Sequence, residues 1–475
     1  MSRNSPAIEV REVELFERPV TLRLPFKFGA VTLRETPQLF VRARIICGTG
    51  EEIGVSAELL APKWFDKNPD LSNEDNFEQL RSSMRIAAKL YQEAGRFSSA
   101  FALHAGLQAA HYAACTRNNL NGLIASYGTA LMDRAVLDAL CRSQGQSIFQ
   151  AIHSNLPGID AATTPDLYGT DIAAHLRAMP APERIDVRHT VGMADAITEA
   201  DLTSRVDDGL PESLEAVIAR YGHRYFKLKV GGDTSADIKR LGQIAELLDR
   251  GPADYCVSLD GNEQFADAAA VVDWIDAVES VPSLARLWAS TLYLEQPIAR
   301  AQALEQPVHA IAARKPVAID ESDSHIGVFP VARALGYHGI SSKSCKGFYR
   351  AILNVVRARE WNTAASGNEY FIIAEDLTTQ PGISVQQDFA LAALTGASHV
   401  ERNGHHYVHG FGDAPLAEQQ RFAGAHGDLY TTSADGKVRL KIEDGSISLK
   451  SLQAPGLAVA AYPDWDSLST VSKAI

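Results

Sequence analysis

The sequence predicts an α/β protein in which a (β/α)8-type barrel, a TIM-like fold, carries an α+β domain over its mouth. The first observation is that eight short apolar runs alternate with amphipathic helical stretches between residues 184 and 412. The second is that strand-like runs of a different pattern flank this region on both sides. Strands that alternate with helices are typical of parallel sheets. A doubly wound open sheet is the structural alternative, and eight repeated units favour a closed barrel.

The N-terminal region, residues 1–183, is predicted to form a sheet followed by helices. β-Branched and aromatic residues mark strands over 31–33 and 39–46, and residues 48–50 are typical of a hairpin turn. From about residue 76 to 152, apolar residues recur at i, i+3 and i+4, which indicates helices. The tail, residues 413–475, contains short β runs and is too short to bury its own core. We therefore expect the tail to return to the N-terminal sheet and complete one capping domain.

Composition and charge exclude several classes of protein. The 475 residues include 45 Lys and Arg against 58 Asp and Glu, a net charge of −13 that gives no basis for binding nucleic acid or an anionic membrane. Five cysteines without CxxC spacing argue against a zinc ribbon or a disulfide framework. The sequence has no signal-like N-terminus and no run of 18 apolar residues, so we expect a soluble, cytoplasmic protein.

Polar residues follow the apolar runs of the predicted barrel, where its strands end. The carboxyl ends of parallel strands are where barrels build their sites. Successive strand-end residues are 31, 35, 25 and 23 positions apart, each step the length of one strand–helix unit, and they are Lys229, Asp260, Glu295, Asp320 and Lys343. Three carboxylates from neighbouring strands make an oxygen site suited to Mg²⁺. The alternative is that each acid is a separate strand-end cap or surface charge.

Two lysines, Lys227 and Lys229, are two positions apart in one predicted strand, so both point to the same side. A buried lysine near other cations has a lowered pKa, which makes it a candidate general base. Lys343 follows four strands later and therefore lies roughly opposite Lys229. Two bases on opposite sides of a metal-held carboxylate substrate suit removal of its α-proton, and Mg²⁺ would stabilise the resulting enediolate. The alternative is an exposed edge strand with solvated lysines.

Five motifs, KLKVGG, SLDGNEQF, YLEQP, AIDES and SSKSCKG, resemble in their order and spacing those of the enolase superfamily. Among its branches they are most similar to the mandelate racemase/muconate lactonizing enzyme group with lysines on the second and sixth strands. The motifs cover the barrel, about residues 185–410, and the flanking regions are similar to that family's capping domain and returning tail. The resemblance implies a modified (β/α)7β barrel, a small-molecule carboxylate substrate, Mg²⁺ as the cofactor and self-association into a homo-oligomer.

The resemblance also implies a role for each strand-end residue. The Mg²⁺ ligands that it implies are Asp260, Glu295 and Asp320. It makes Lys229 and Lys343 the acid/base pair, places Lys227 against the substrate carboxylate and puts Asn262 beside the metal. Glu321 is the alternative third ligand. Asp320 is preferred because this branch uses the acid that opens the DES motif.

The last two predicted strands match no specificity motif. The FIIAEDLTTQPG stretch lacks the histidine that mandelate racemase-type enzymes use on the seventh strand. Asp376 and Glu401 end these two strands and are candidate substrate contacts, whereas segment 401–406 either binds substrate or a second ion or is a polar loop capping the barrel mouth. The branch includes dehydratases, epimerases, cycloisomerases and succinylbenzoate synthases, so the reaction that follows proton abstraction stays open.

Two segments of the N-terminal region, 24–31 and 57–65, are candidate loops over the active site, with Lys27 and Trp64 as the residues of interest. Packing between domains is the alternative use of these segments. Two other functions are also considered. A Schiff-base aldolase would use Lys229 or Lys343 as a nucleophile and give the three carboxylates no role. A non-catalytic barrel that only binds a carboxylate would lack one of the predicted metal ligands or catalytic lysines. This sequence has all five of these residues.

Overall fold

Three antiparallel strands open the N-terminal part of the chain. The computed structural model describes residues 5–28, 31–252, 254–367 and 369–472. The strands are β1 (Ile8–Phe28), β2 (Val31–Cys47) and β3 (Gly50–Leu59). Gly48 turns the chain from β2 into β3 with a φ of +67°, a left-handed conformation that glycine adopts without strain. The predicted strands at 31–33 and 39–46 both belong to β2, and in the candidate loop 24–31, Gly29 and Ala30 lie outside the described residues.

Five helices follow this sheet in the sequence. They are α1 (Asn73–Glu93), α2 (Ala100–Arg117), α3 (Gly122–Ser143), α4 (Ile148–His153) and α5 (Ile172–Arg177). Helix α3 is buried along nearly its whole length. A Cβ atom added to Gly54 of β3 would lie 1.9 Å from the carbonyl oxygen of Ala135 in α3, so the sheet and this helix pack backbone against backbone. That close approach requires glycine at position 54.

Eight parallel strands form a closed barrel, which confirms the predicted fold class. Each strand coincides with one of the eight apolar runs, and they are β4 (Arg184–Val191), β5 (Tyr225–Lys229), β6 (Cys256–Asp260), β7 (Thr291–Glu295), β8 (Val317–Ile319), β9 (Gly339–Ser342), β10 (Phe371–Ala374) and β11 (His399–Arg402). Strands consecutive in sequence are neighbours in the sheet, and β11 pairs back onto β4 with Val400 opposite Val187.

Amphipathic helices lie between consecutive barrel strands. They are α6 (Leu214–Tyr221), α7 (Thr234–Arg250), α8 (Ala268–Glu279), α9 (Ala285–Ala289), α10 (Arg300–Ala303), α11 (His309–Ala312), α12 (Val328–Ala334), α13 (Phe348–Ala365) and α14 (Ile383–Thr395). In α7 the buried residues include Leu241, Ile244 and Leu248, at the spacing of one helix face. This face packs in the same apolar core as Leu228 of β5 and Leu259 of β6.

The tail contacts both parts of the molecule. A short helix, α15 (Gly404–Tyr407), lies before it and directly after β11, and the elements of the tail are α16 (Leu416–Ala425), β12 (Tyr430–Thr432), β13 (Val438–Leu440), β14 (Ser446–Ser448) and β15 (Ser469–Thr470). Strand β15 pairs with β1 of the N-terminal sheet, whereas β14 pairs antiparallel with barrel strand β4. The tail, which was expected to return to the N-terminal sheet, thus pairs with both that sheet and the barrel. The domain boundaries at residues 183 and 412 stay a prediction.

One apolar core joins the N-terminal part to the barrel. It contains Leu39 of β2, Leu137 of α3, Phe348 of α13 and Val400 of β11, all of them buried. The N-terminal sheet and helices are therefore held against the barrel by burial of apolar surface. Among the helices of the described ranges, none is both long enough and apolar enough to cross a membrane.

Candidate active site

The charged residues predicted to form the site lie together at the carboxyl ends of the barrel strands, and they are buried. Lys229 is opposite Asp260 in the pairing of β5 with β6, and Asp260 is opposite Glu295 in the pairing of β6 with β7. Asp320 directly follows β8, and Lys343 directly follows β9. The residues that were predicted from their spacing to end neighbouring strands therefore lie at one mouth of the barrel.

The ammonium group of Lys227 is the centre of this charge cluster. Its Nζ atom lies within 3.0 Å of an oxygen of four buried carboxylates, which are Asp260, Glu295, Glu375 and Glu401. Side chains two positions apart on a strand point to the same side, and Lys229 accordingly reaches the same cluster, with its Nζ 2.5 Å from Asp260 Oδ2. Both lysines therefore point into the barrel, and the alternative of an exposed edge strand is wrong.

Lys343 approaches the cluster from another strand. Its Nζ atom is 3.1 Å from Asp320 Oδ2 and 3.2 Å from Glu375 Oε2. The indole ring of Trp64 lies over it, with the ring centroid 5.4 Å from Nζ. A cation above an aromatic face is stabilised by the negative face of the ring. Trp64 of the N-terminal part thus contacts a predicted catalytic lysine of the barrel.

The pKa values of two lysines in the site differ from the prediction. Burial acts to lower the pKa of Lys227 and Lys343, but the neighbouring carboxylates outweigh burial and raise both pKa values well above the ordinary range. Burial, together with the negative charges of Asp260 and Glu375, raises the pKa of Glu295. The predicted lowering of the lysine pKa is therefore not found for these two residues, because carboxylates are their nearest neighbours.

Several buried oxygen atoms at this mouth accept no hydrogen bond within the described ranges. They are Asn262 Oδ1, Glu295 Oε2 and Glu321 Oε2. Buried polar atoms are normally paired, and unpaired carboxylate oxygens among other carboxylates suit a hard cation such as Mg²⁺. Asp260, Glu295 and Asp320 fit such an ion, because they lie at the ends of three neighbouring strands. Burial and the nearby negative charges raise the pKa of Glu295, so a cation beside it would stabilise its charged form.

Glu321 fits the same ion as an alternative third ligand. Both oxygens of Asp320 already accept hydrogen bonds, Oδ1 from Ser341 and Oδ2 from Lys343. Glu321 accepts one hydrogen bond, 3.2 Å long, from Asn262 Nδ2, and keeps its other oxygen free of donors among the described residues. Burial raises the pKa of Glu321, and the charge of Asp320 raises it further.

A cavity covers the charged cluster and is roofed by the N-terminal part. Its roof is formed by Phe26, Leu33, Ala61 and Trp64. Its floor includes the three predicted lysines and two of the predicted metal ligands, Asp260 and Asp320, whereas Glu295 does not line it. Phe26 of segment 24–31 and Ala61 and Trp64 of segment 57–65 therefore lie over the site. Residues 24–28 and 57–59 belong to strands β1 and β3, so these parts of the two segments are not the loops that were predicted. Lys27 is half-buried and is not among the residues that line this cavity.

The three remaining predicted contacts have different surroundings. Asn262 lines the cavity, and its backbone N–H donates to Asp260 Oδ1 over 2.8 Å. Glu401 also lines the cavity, but Thr190 and Asn403 donate to its Oε1 over 2.6 and 2.9 Å. Asp376 reaches the lining as well, and its oxygens mainly accept backbone N–H groups, including that of Asn403 at 2.5 Å. This pattern makes Asp376 a support for the loops after β10 and β11.

Sequence reasoning placed less weight on Glu375 than on its neighbour Asp376. Glu375 contacts Lys227, Lys343 and Arg188, and burial followed by the charge of Glu401 raises its pKa to about 7. The alternation of side chains along β10 indicates that Glu375 is buried, because residues i and i+2 share a face and Ile373, two positions earlier, is buried. No such pattern in the sequence pointed to Arg188, because this residue lies in the middle of β4 and not at the end of a strand.

Three solved structures illustrate what the chain is similar to. An N-succinyl Arg/Lys racemase from Bacillus cereus ATCC 14579 is 17% identical, with 98% of this chain and 100% of that chain covered and a TM-score of 0.60. A mandelate racemase/muconate lactonizing enzyme from Bordetella bronchiseptica RB50 is 18% identical, with 97% and 98% covered and a TM-score of 0.59. An enolase from Bradyrhizobium, complexed with magnesium and mandelic acid, is 17% identical, with 96% of each chain covered and a TM-score of 0.57.

The chain shares the fold of these three solved structures. The shared fold extends over the barrel and the N-terminal part, because the matches cover nearly the whole of each chain. No protein-family model matches the sequence, and no curated protein matches it. At 17–18% identity the comparison establishes architecture, so function has to be inferred from the site itself.

Proposed function

We propose that this chain is a Mg²⁺-dependent enzyme of the mandelate racemase/muconate lactonizing group that removes the α-proton of a small carboxylate substrate. The observation that carries this proposal is the arrangement of charges at the barrel mouth. Lys229 and Lys343 stand at the second and sixth strand ends, and the carboxylates of Asp260, Glu295 and Asp320 lie on the strands between them.

The two lysines are assigned as the acid/base pair. Strands β5 and β9 have three strands between them on each side of the closed barrel, so the two side chains come from opposite walls. Both line the cavity above the charge cluster. A substrate held between them would present one face of its α-carbon to each ammonium or amine group. This arrangement supports proton removal on one face and proton return on the other.

Asp260, Glu295 and Asp320 would hold Mg²⁺, with Asn262 beside them. When bound there, Mg²⁺ supplies positive charge that makes a proton next to the substrate carboxylate more acidic and offsets the acids that raise the lysine pKa values. Lys227 would hold the substrate carboxylate, because its Nζ is buried at the centre of the cluster and lines the cavity.

The shape of the cavity favours particular substrates. The groups that line its roof are apolar or aromatic, and Leu377 adds an apolar side chain from the barrel. We infer a substrate with a carboxylate at the charged floor and an apolar portion towards Phe26 and Trp64. Racemisation, dehydration and cycloisomerisation all begin with the same proton removal, and the proposal covers that shared step.

Solvent exchange tests this function. The protein is incubated in D₂O with Mg²⁺ and a panel of α-protonated acids that includes acylated amino acids, aryl hydroxy acids and sugar acids, and loss of the α-proton is followed by NMR. We expect exchange in a subset, abolished by a chelator and by Glu295→Gln. The matched control is Glu246→Gln, which alters an exposed carboxylate on α7.

Two outcomes would contradict the proposal. Exchange that persists without Mg²⁺ and in the Glu295→Gln variant would remove the metal from the reaction. A substrate adduct trapped on Lys229 or Lys343 by borohydride would instead indicate a Schiff-base aldolase.

A further inference from the structure

Three histidines converge outside the barrel, on the opposite side of β4 from the candidate active site. His189 lies in β4, His223 precedes β5, and His405 lies in α15. Each offers a ring nitrogen, and these nitrogens all lie within 4.8 Å of one another. The ring centroids are 5.4 Å apart for His189 and His223, 5.4 Å for His189 and His405, and 5.5 Å for His223 and His405.

Strand alternation separates this cluster from the charged site. Arg188 and Thr190 point into the barrel, where they contact Glu375 and Glu401. The side chain of His189, between them in the strand, therefore points the other way. The cluster and the candidate active site share a strand and no side chain.

The ring nitrogens of the cluster lack ordinary partners. His189 and His223 are 2% and 0% exposed, and His405 is half-buried. Among the described residues no well-aligned hydrogen bond reaches His189 Nδ1 or either ring nitrogen of His223 and His405. The backbone of Val187 and of Arg402 lies close enough to His223 and His405 to oppose the lowering of their pKa values by burial, which makes these two contacts poorly aligned ones. Buried polar atoms are normally hydrogen-bonded, and three facing rings whose nitrogens lack well-aligned partners are a costly arrangement unless something binds them.

We propose that His189, His223 and His405 form a transition-metal site of the zinc type. Neutral imidazole is a ligand that Zn²⁺ prefers, and three histidines with one open position are a frequent zinc arrangement. Zn–N bonds of about 2.0–2.1 Å place tetrahedral ligand nitrogens about 3.4 Å apart, so the ring nitrogens need to approach one another by up to about 1.4 Å. Burial lowers the pKa of His223 to about 4, which leaves its nitrogen lone pair available for a metal.

A cavity next to His405 gives an ion access to this site. It is lined by Tyr221, Arg220 and Arg439 among others. Its two arginines suit a small anion or water-derived ligand at the open coordination position. An ion held by β4 and α15 would also join the first and last barrel strands, because α15 directly follows β11. The site would therefore stabilise the closure of the barrel.

Metal binding in excess Mg²⁺ tests this proposal. The full chain is freed of metal with a chelator and titrated with Zn²⁺ by calorimetry, and the complex with one equivalent is studied by X-ray absorption. We expect one Zn²⁺ per chain, imidazole scattering around the metal and a higher thermal midpoint. His189→Gln and His405→Gln should each weaken Zn²⁺ binding by more than about 100-fold, beyond the loss caused by removing an outer-shell partner.

The controls are His426→Gln and Glu295→Gln. His426 is a buried histidine whose ring nitrogens already have partners, Ser451 Oγ at 3.0 Å and the Ala460 N–H at 3.0 Å, so its variant should bind Zn²⁺ like the wild type. His405 is half-buried, so its variant should keep the fold, as circular dichroism would show. Wild-type protein that binds no Zn²⁺, a His405→Gln protein that binds it normally, or a site that disappears in Glu295→Gln would each overturn the proposal.

Discussion

Replacing Arg134 with methionine should destabilise the protein by about 3–5 kcal/mol. Arg134 lies in α3 and is fully buried. Its guanidinium donates to Glu58 Oε2 of β3 over 3.1 Å and to Gln387 Oε1 of α14 over 3.2 Å. Ser344, next to a predicted catalytic lysine, donates to the same Glu58 oxygen over 2.8 Å. This network therefore ties the N-terminal part to the barrel beside the candidate site.

The magnitude follows from the charge that the substitution leaves behind. Glu58 is 1% exposed, and burial already raises its pKa although Arg134 opposes the rise. Removing one partner of a buried ion pair costs about 3–5 kcal/mol because the remaining charge is uncompensated. A raised carboxyl pKa lowers stability once the pH exceeds the unfolded-state value, so the loss should be larger at pH 8 than at pH 5.

Urea unfolding followed by tryptophan fluorescence measures this effect. Arg134→Met should lower the free energy of unfolding as stated, and adding Glu58→Gln should restore most of the loss because no buried charge remains. Arg250→Met is the control, since Arg250 pairs with Glu246 at an exposed position and should change stability by less than about 0.5 kcal/mol. A loss below about 1 kcal/mol in Arg134→Met, or no recovery in the double variant, would refute this reasoning.

The candidate site gives three more expected results. Because burial and Glu401 raise the pKa of Glu375 to about 7, the metal-free protein should lose stability between about pH 4.5 and 7, by up to about 3 kcal/mol. Glu375→Gln should remove that loss in urea unfolding across this range, and an unchanged profile would contradict it. Asp320→Asn should weaken Mg²⁺ binding measured by calorimetry far more than Glu321→Gln does, and the reverse order would make Glu321 the third ligand. Trp64→Ala should lower stability by about 3–5 kcal/mol and raise the KM for the substrate, since Trp64 is buried and roofs the cavity.

The fold was predictable because each barrel strand is a short apolar run with a polar residue at its end. Lys229 and Asp260 show how this works, since each ends a five-residue strand and the two lie side by side in the sheet. The position of β14 was not predictable in the same way. A three-residue strand has too few side chains to specify its partner, and its pairing with β4 depends on where the tail already lies.

The site was predictable in position and less so in electrostatics. The sequence shows which acids end strands, but the pKa of Lys227 depends on four carboxylates that come from four other strands. Only one member of the histidine cluster was indicated by the sequence, because His405 lies in segment 401–406, which was a candidate ion site. His189 in β4 and His223 just before β5 are far from it in the chain and have no metal-ligand spacing. Such contacts arise only when the barrel closes and brings α15 against β4.

The paired lysines are tested most directly by stereospecific exchange in D₂O. With Mg²⁺ and a substrate found by the exchange screen, each enantiomer is incubated with the wild type, Lys229→Ala and Lys343→Ala, and deuterium at the α-carbon is measured by NMR. We expect each variant to lose exchange of the enantiomer whose proton faces the missing lysine, while the other enantiomer still exchanges. If Lys343→Ala exchanges and turns over both enantiomers at rates near the wild type, the two-base account is wrong.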